Sequence, residues 1–186
     1  MASTYTDLGL ELMATGENAG TWGTKTNTNL ELIQQGFAGY QEVSIAGVAQ
    51  TTPLAVTDGT VSNGRNAVIK FTGVITGNQV VTIPDSIEKT YTIINGTTGA
   101  FTVEFKTVSG TGFTFAAADK GTRLAYADGT NVVDVNAAFT TISQFTLPTA
   151  DGTNGQAILT NGSGTLSFGA AGISTGKAIA MAIVFG

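Results

Sequence analysis

The chain has 186 residues, a net charge of −5 and 11% charged residues, which suits one core with a small appendage and provides no basic cluster for nucleic acid or an anionic membrane. It contains no Cys and no His, which excludes a disulfide framework, thiol catalysis, thiolate metal sites and the usual acid–base catalyst, so no cofactor and no metal is expected. Its 25 glycines and abundant Thr favour short strands and polar turns over helices.

In chain order, residues 1–41 read as an N-terminal arm carrying the only convincing helix signal. Thr26 or Asn27 is placed to cap a first turn, and Leu30, Ile33 and Phe37 recur at helical spacing, so a short helix is expected near residues 26–38. The opening MASTYTDLG has neither a basic nor an apolar signal region, so no secretory signal is expected. The arm holds the single Trp of the chain, Trp22, between glycines. Two readings of it stand open. It tucks the arm onto the helix or the strands, which the burial of most large aromatics favours, or it anchors the arm in a partner, where Trp is enriched.

Residues 42–136 alternate apolar runs with turn signals. VSIAGV, AVIKFTGVI, VVTIP, YTIINGT, FTVEFKTV, FTFAA, RLAYADGT and NVVDV read as about eight strands of a β-sandwich or jelly-roll-like domain. Asp58-Gly59, Asn63-Gly64, Asn95-Gly96 and Asp128-Gly129 are expected in tight hairpin turns.

Residues 137–186 form the third segment. QAILT, flanked by Asp151-Gly152 and Asn161-Gly162, and TLSFG, which follows after NGSG, predict a small hairpin with too little apolar surface to stand alone. In the terminal run, Ile179, Met181, Ile183 and Phe185 alternate with Ala178, Ala180, Ala182 and Val184, so a strand there is apolar on both faces. Such a strand belongs at the centre of a sheet or between subunits, which makes Ile179, Met181, Ile183 and Phe185 the expected oligomer contacts. The run is too short for a membrane helix, so no membrane insertion is expected.

Catalytic constellations are weak. A hydrolytic carboxylate pair is drawn from Glu42, Asp85, Glu88, Glu104, Asp119 and Asp134, but no spacing singles two of them out. Glu88-Lys89 and Asp119-Lys120 read as solvated turn charges, and Glu104 as an outward strand residue. The repeated Asp-Gly-Thr at residues 58, 128 and 151 lacks the alternating acidic ligands of a calcium loop and reads as turn chemistry. SGTGFTF has the glycines of a phosphate loop without its Lys-Ser or Lys-Thr pair.

Three segments carry a resemblance. GENAGTWGTKTNTNLELIQQGFAGY is similar to the N-terminal motif of many bacteriophage tail-fibre and related virion proteins. SNGRNAVIKFTGVITGNQVVTIPDSIEKTYTIINGTTGAFTVEFKT resembles structural proteins of marine phages, cyanophages among them. LPTADGTNGQAILTNGSGTLSFG resembles a module of phage fibre chains, as does the ending GISTGKAIAMAIVFG. The resemblance implies a non-enzymatic virion protein, a homotrimer assembled in the host cytoplasm. It would join other phage tail or head proteins by its N-terminal region, with host surface glycan as a further partner. Carried over by position, Gly16, Glu17, Asn18, Trp22, Gly23, Asn29, Leu30 and Ile33 form the virion-docking or assembly element. A chain of this size has no long shaft, so a short fibre, an adaptor or a head or tail decoration is the expected form. The alternative from the residues is a monomeric carbohydrate-binding β-sandwich, with exposed Tyr40, Tyr91, Tyr126 or Phe residues as sugar platforms.

Overall fold

The computed structural model describes residues 2–135, 137, 141, 142 and 144–172. They fall into two compact units, divided between Asn136 and Ala137. Among the described residues the protein is mainly β with one α-helix, as the composition predicts. The terminal contacts expected at Ile179, Met181, Ile183 and Phe185 lie outside the described residues.

In the first unit the arm begins with β1 (Thr4–Tyr5) and β2 (Glu11–Leu12), an antiparallel pair closed by a turn in which Gly9 N donates to Thr6 O at 2.7 Å. Helix α1 (Trp22–Ala38) follows. It starts four residues earlier than Thr26, with Thr21 at its N-cap position and no side-chain cap bond. Local geometry explains the early start. Asn18 adopts a left-handed φ of 63°, and Thr21 N donates to its carbonyl at 2.8 Å, so a tight turn already aims the chain along the helix axis.

The strands then run β3 (Tyr40–Ser44), β4 (Gln50–Pro53), β5 (Val68–Val74), β6 (Gln79–Ile83), β7 (Glu88–Thr98), β8 (Val103–Thr107), β9 (Gly112–Phe115), β10 (Thr122–Asp128) and β11 (Val132–Asp134). They form a five-stranded sheet, β11-β10-β7-β5-β3, and a four-stranded sheet, β4-β6-β8-β9. Successive strands from β3 to β8 alternate between the sheets, and within each sheet they pair in parallel: Tyr40 with Val68, Val68 with Thr92, Gln50 with Gln79, Gln79 with Val103. The chain therefore winds as stacked coils, and only β9, β10 and β11 add antiparallel.

This connectivity differs from a jelly roll, whose strands pair antiparallel. The alternation of apolar residues along a strand is the same for parallel and antiparallel partners, so spacing predicted the strands without their neighbours. Two hairpin expectations fail for a related reason. Asn63-Gly64 opens a short 3-10 turn (Asn63–Arg65), and Asn95-Gly96 lies inside β7. Asn95 is buried there because its amide is satisfied. Its Nδ2 donates to Asp119 O at 2.7 Å, and its Oδ1 accepts from Thr97 Oγ1 at 2.7 Å. Gly96 is required by close approach, since a Cβ would sit 2.9 Å from Lys70 Cε and 3.0 Å from Phe71 O. Asp128-Gly129 does turn β10 into β11, with Asp128 Oδ1 accepting from the amides of Thr130 and Asn131. Strand β4 was not predicted because QTTP is polar and ends in Pro, a composition confined to edges.

The inward residues of both sheets share one core: Ile69 and Phe71 of β5, Tyr91 and Ile93 of β7, Val81 and Ile83 of β6, Val103 and Phe105 of β8, with Phe113 and Phe115 of β9. Phe105 sits among rings, its centroid 5.9 Å from Phe71, 5.7 Å from Tyr91 and 6.0 Å from Phe113. Leu8 of the arm packs against this cluster, so the arm and the sheets form one unit.

The second unit contains β12 (Thr141–Ile142) paired with β13 (Phe145–Thr146), and β14 (Gln156–Thr160) paired with β15 (Leu166–Ala170). The predicted QAILT and TLSFG segments are the arms of the second hairpin. Asn161 Oδ1 accepts from the amides of Ser163 and Thr165 across its turn, while Ile158 and Leu159 remain exposed.

Candidate assembly surface on the arm and helix

Helix α1 has one side held by the rest of the unit. The Asn29 side chain pairs with the backbone of Glu11 as a strand would: Oδ1 accepts from Glu11 N and Nδ2 donates to Glu11 O, each at 2.9 Å. The Glu11 carboxylate binds Lys25 Nζ at 2.9 Å and accepts from Asn18 Nδ2 at 3.1 Å. The Lys25 bond, then the Asn18 bond, hold that carboxyl below the usual range. Glu17 accepts from Ser3 Oγ at 2.7 Å and so ties the start of the arm to the turn before the helix.

A second set of bonds converges on Arg65, which is fully buried. Its Nε donates to Leu8 O at 2.8 Å, its Nη1 to Gln35 Oε1 at 3.0 Å and Thr60 O at 2.7 Å, and its Nη2 to Thr57 O at 2.6 Å. One guanidinium thus joins the arm, the helix and the loop before β5. Fixed donors in a planar fork suit Arg for this task. Burial draws its pKa down, with Asp58 opposing.

Another face of α1 is largely exposed among the described residues. Trp22 is 66% exposed, Leu30 58%, Ile33 41% and Phe37 86%. At about 100° per residue these four side chains lie within about 80° of one another, a single apolar stripe, while Asn29, Lys25 and Leu32 follow in turn along one flank of it and Gln35 stands opposite. Trp22 is therefore not tucked against the helix or the sheets. It stands at the start of the outward stripe, which corrects the expectation that burial favoured.

Of the residues singled out from the sequence, the structure divides the element in two. Glu17, Asn18 and Asn29 fasten the arm to α1, whereas Trp22, Leu30 and Ile33 face outward. Gly16 has a φ of +82°, and open space surrounds Gly16 and Gly23. Phe37 is the most exposed member of the stripe and belongs with it, as its helical spacing signalled. Arg65 could not be found from sequence, because its partners are three backbone carbonyls and the Gln35 side chain, which only the fold brings together.

Lys89 is not a solvated turn charge. It stands on β7 with its Nζ 4.2 Å over the Tyr91 ring, donating to Arg65 O at 2.6 Å and Asn66 O at 3.0 Å. Burial, and then the nearby Arg65 charge, push its pKa down to about 8. Tyr91 is buried and donates to Gly64 O at 2.9 Å, so it is no sugar platform. Burial pushes its phenol well above the ordinary range. Of the carboxylates considered for a hydrolytic pair, Glu42 binds Lys70 and Tyr40, Asp85 binds Ser109, and Asp119 and Asp134 share Arg123. Among the described residues no three of His, Cys, Asp and Glu gather as a metal site.

No family model matches the chain, and no curated protein or solved structure is significantly similar to it.

Proposed function

We propose that the chain is a non-enzymatic structural component of a tailed phage virion, tail-fibre-like, that assembles as a homotrimer and attaches to the particle through its N-terminal region. The observation that carries the proposal is the outward stripe of α1. A helix held along its flank by Asn29 and Glu11, and by Arg65 through Gln35, presents Trp22, Leu30, Ile33 and Phe37 to solvent. Burying such side chains gains roughly 1.5–3 kcal/mol each, and Leu30, Ile33 and Phe37 follow the alternating spacing of a helical seam. The resemblance of the segment around Trp22 to virion proteins gives the assembly its place, and host surface glycan remains a further partner of the assembled particle.

The native mass of the full chain tests this directly. A trimer that Phe37→Asp and Leu30→Asp convert to monomer supports the reading. A wild-type monomer that also fails to bind phage tails or heads overturns it.

The second reading, a carbohydrate-binding module, rests on Tyr126, which is exposed beside Leu124 and Val133 on the outer face of β10 and β11. Glycan binding by a monomeric chain, lost in Tyr126→Ala, favours that reading instead.

A further inference from the structure

A cavity of about 470 Å³ lies between the arm, α1 and β7. Leu8, Leu10, Leu32, Ile33 and Phe37 give it apolar walls. Arg65 and Lys89 are set into the same lining. An Arg carries five N–H donors and a Lys three. Four bonds from Arg65 and two from Lys89 end on carbonyl oxygens, all of them neutral. Among the described residues the ion pairs join Lys25 to Glu11, Lys70 to Glu42, and Arg123 to Asp119 and Asp134, so neither cation of the cavity has a carboxylate partner. Glu88 lines the cavity, but its Oε1 lies by the β10–β11 turn, 3.5 Å from where a Cβ on Gly129 would stand. Asp58 acts on Arg65 only through its charge.

Two cations without an ion-paired carboxylate, beside apolar walls, favour an anion whose remainder is hydrocarbon. A charge withdrawn from water is costly unless paired, and a cavity of this size that sets charged and hydroxyl side chains among apolar walls is the ordinary form of a small-molecule site. We propose that this cavity binds a small amphiphile with one anionic head, the carboxylate of a medium-chain fatty acid, seated on Lys89 with its chain against Leu10, Leu32 and Phe37. A neutral alcohol of equal length has the same chain and lacks the head's charge. A quaternary ammonium of equal length carries the wrong charge. The site is independent of the virion reading, although Ile33 and Phe37 belong both to its wall and to the outward stripe.

Calorimetric titration of the full chain with decanoate, decanol and decyltrimethylammonium tests the proposal, with native mass recorded in parallel. Saturable decanoate binding, one per chain and at least tenfold tighter than decanol, is expected, with no binding of the ammonium. Lys89→Met is expected to weaken decanoate at least tenfold and leave decanol unchanged, at unchanged native mass. Should Lys89→Met fail to fold, Ile33→Asp on the exposed wall provides the second test and is expected to weaken decanoate more than decanol. Equal binding of decanoate and decanol, non-saturable uptake, or no binding of decanoate overturns the proposal. Leu30 lies outside the cavity lining, so a change of native mass in Leu30→Asp bears on assembly alone and the two readings fail separately.

Discussion

Asn29 holds Glu11 by both backbone groups, accepting from its N–H and donating to its C=O at 2.9 Å each. A side-chain amide is the one group on a helix able to mimic a strand neighbour in this way, because it carries a donor and an acceptor side by side. Asn29→Asp keeps the size and removes the donor, setting a carboxylate against the Glu11 carbonyl. The expected cost is about 1–3 kcal/mol. Limited proteolysis checks it: cleavage within residues 2–20 accelerates in the variant while the strands stay protected.

Arg65 joins three segments that are remote in sequence, so its loss reaches further than a surface pair would. Arg65→Met leaves the carbonyls of Leu8, Thr57 and Thr60 and the Gln35 amide oxygen without their donor. Destabilisation of roughly 3–5 kcal/mol is expected in chemical denaturation. Recovery of wild-type stability in Arg65→Met contradicts the hub.

Gly9 has a φ of +72°, and a Cβ there would meet Arg65 Nη2 at 2.6 Å and Thr57 O at 2.8 Å. Gly9→Ala therefore strains the backbone and displaces the guanidinium at once. A loss of at least ~1 kcal/mol is expected, read as a lower melting temperature.

Lys89 gives the stability a pH signature. Its folded pKa, about 8, lies below the ordinary 10.5. Between these values the unfolded chain binds more protons at this position than the folded one, so stability rises with pH across that window. Tyr91 acts oppositely above its ordinary pKa of 10.0, since the folded state keeps a proton that the unfolded state loses. The measurement is thus the difference between wild type and Lys89→Met from pH 7.5 to about 9.5, where the Tyr91 contribution is absent. Wild type gains on the variant as pH rises. A flat difference contradicts the burial of Lys89.

Phe105 tests the core. With three rings within 6.0 Å of its centroid, Phe105→Ala opens a cavity between the sheets. A cost of about 3–5 kcal/mol is expected in denaturant titration.

The sequence by itself determined the β class, most strand positions and the existence of α1. Apolar periodicity and turn residues are local signals, and they survive any choice of partner strand. It also located the stretch from Gly16 to Ile33 as the unusual part of the arm. Only the tertiary structure decided that β3 to β8 wind as parallel coils, because residue spacing does not encode which edges meet. The same limit hid Arg65, whose acceptors, three main-chain carbonyls and the Gln35 side chain, are gathered only by the fold. It also left the direction of Trp22 open, since a helix position has a face only once Asn29 and Glu11 fix which side of α1 is turned inward.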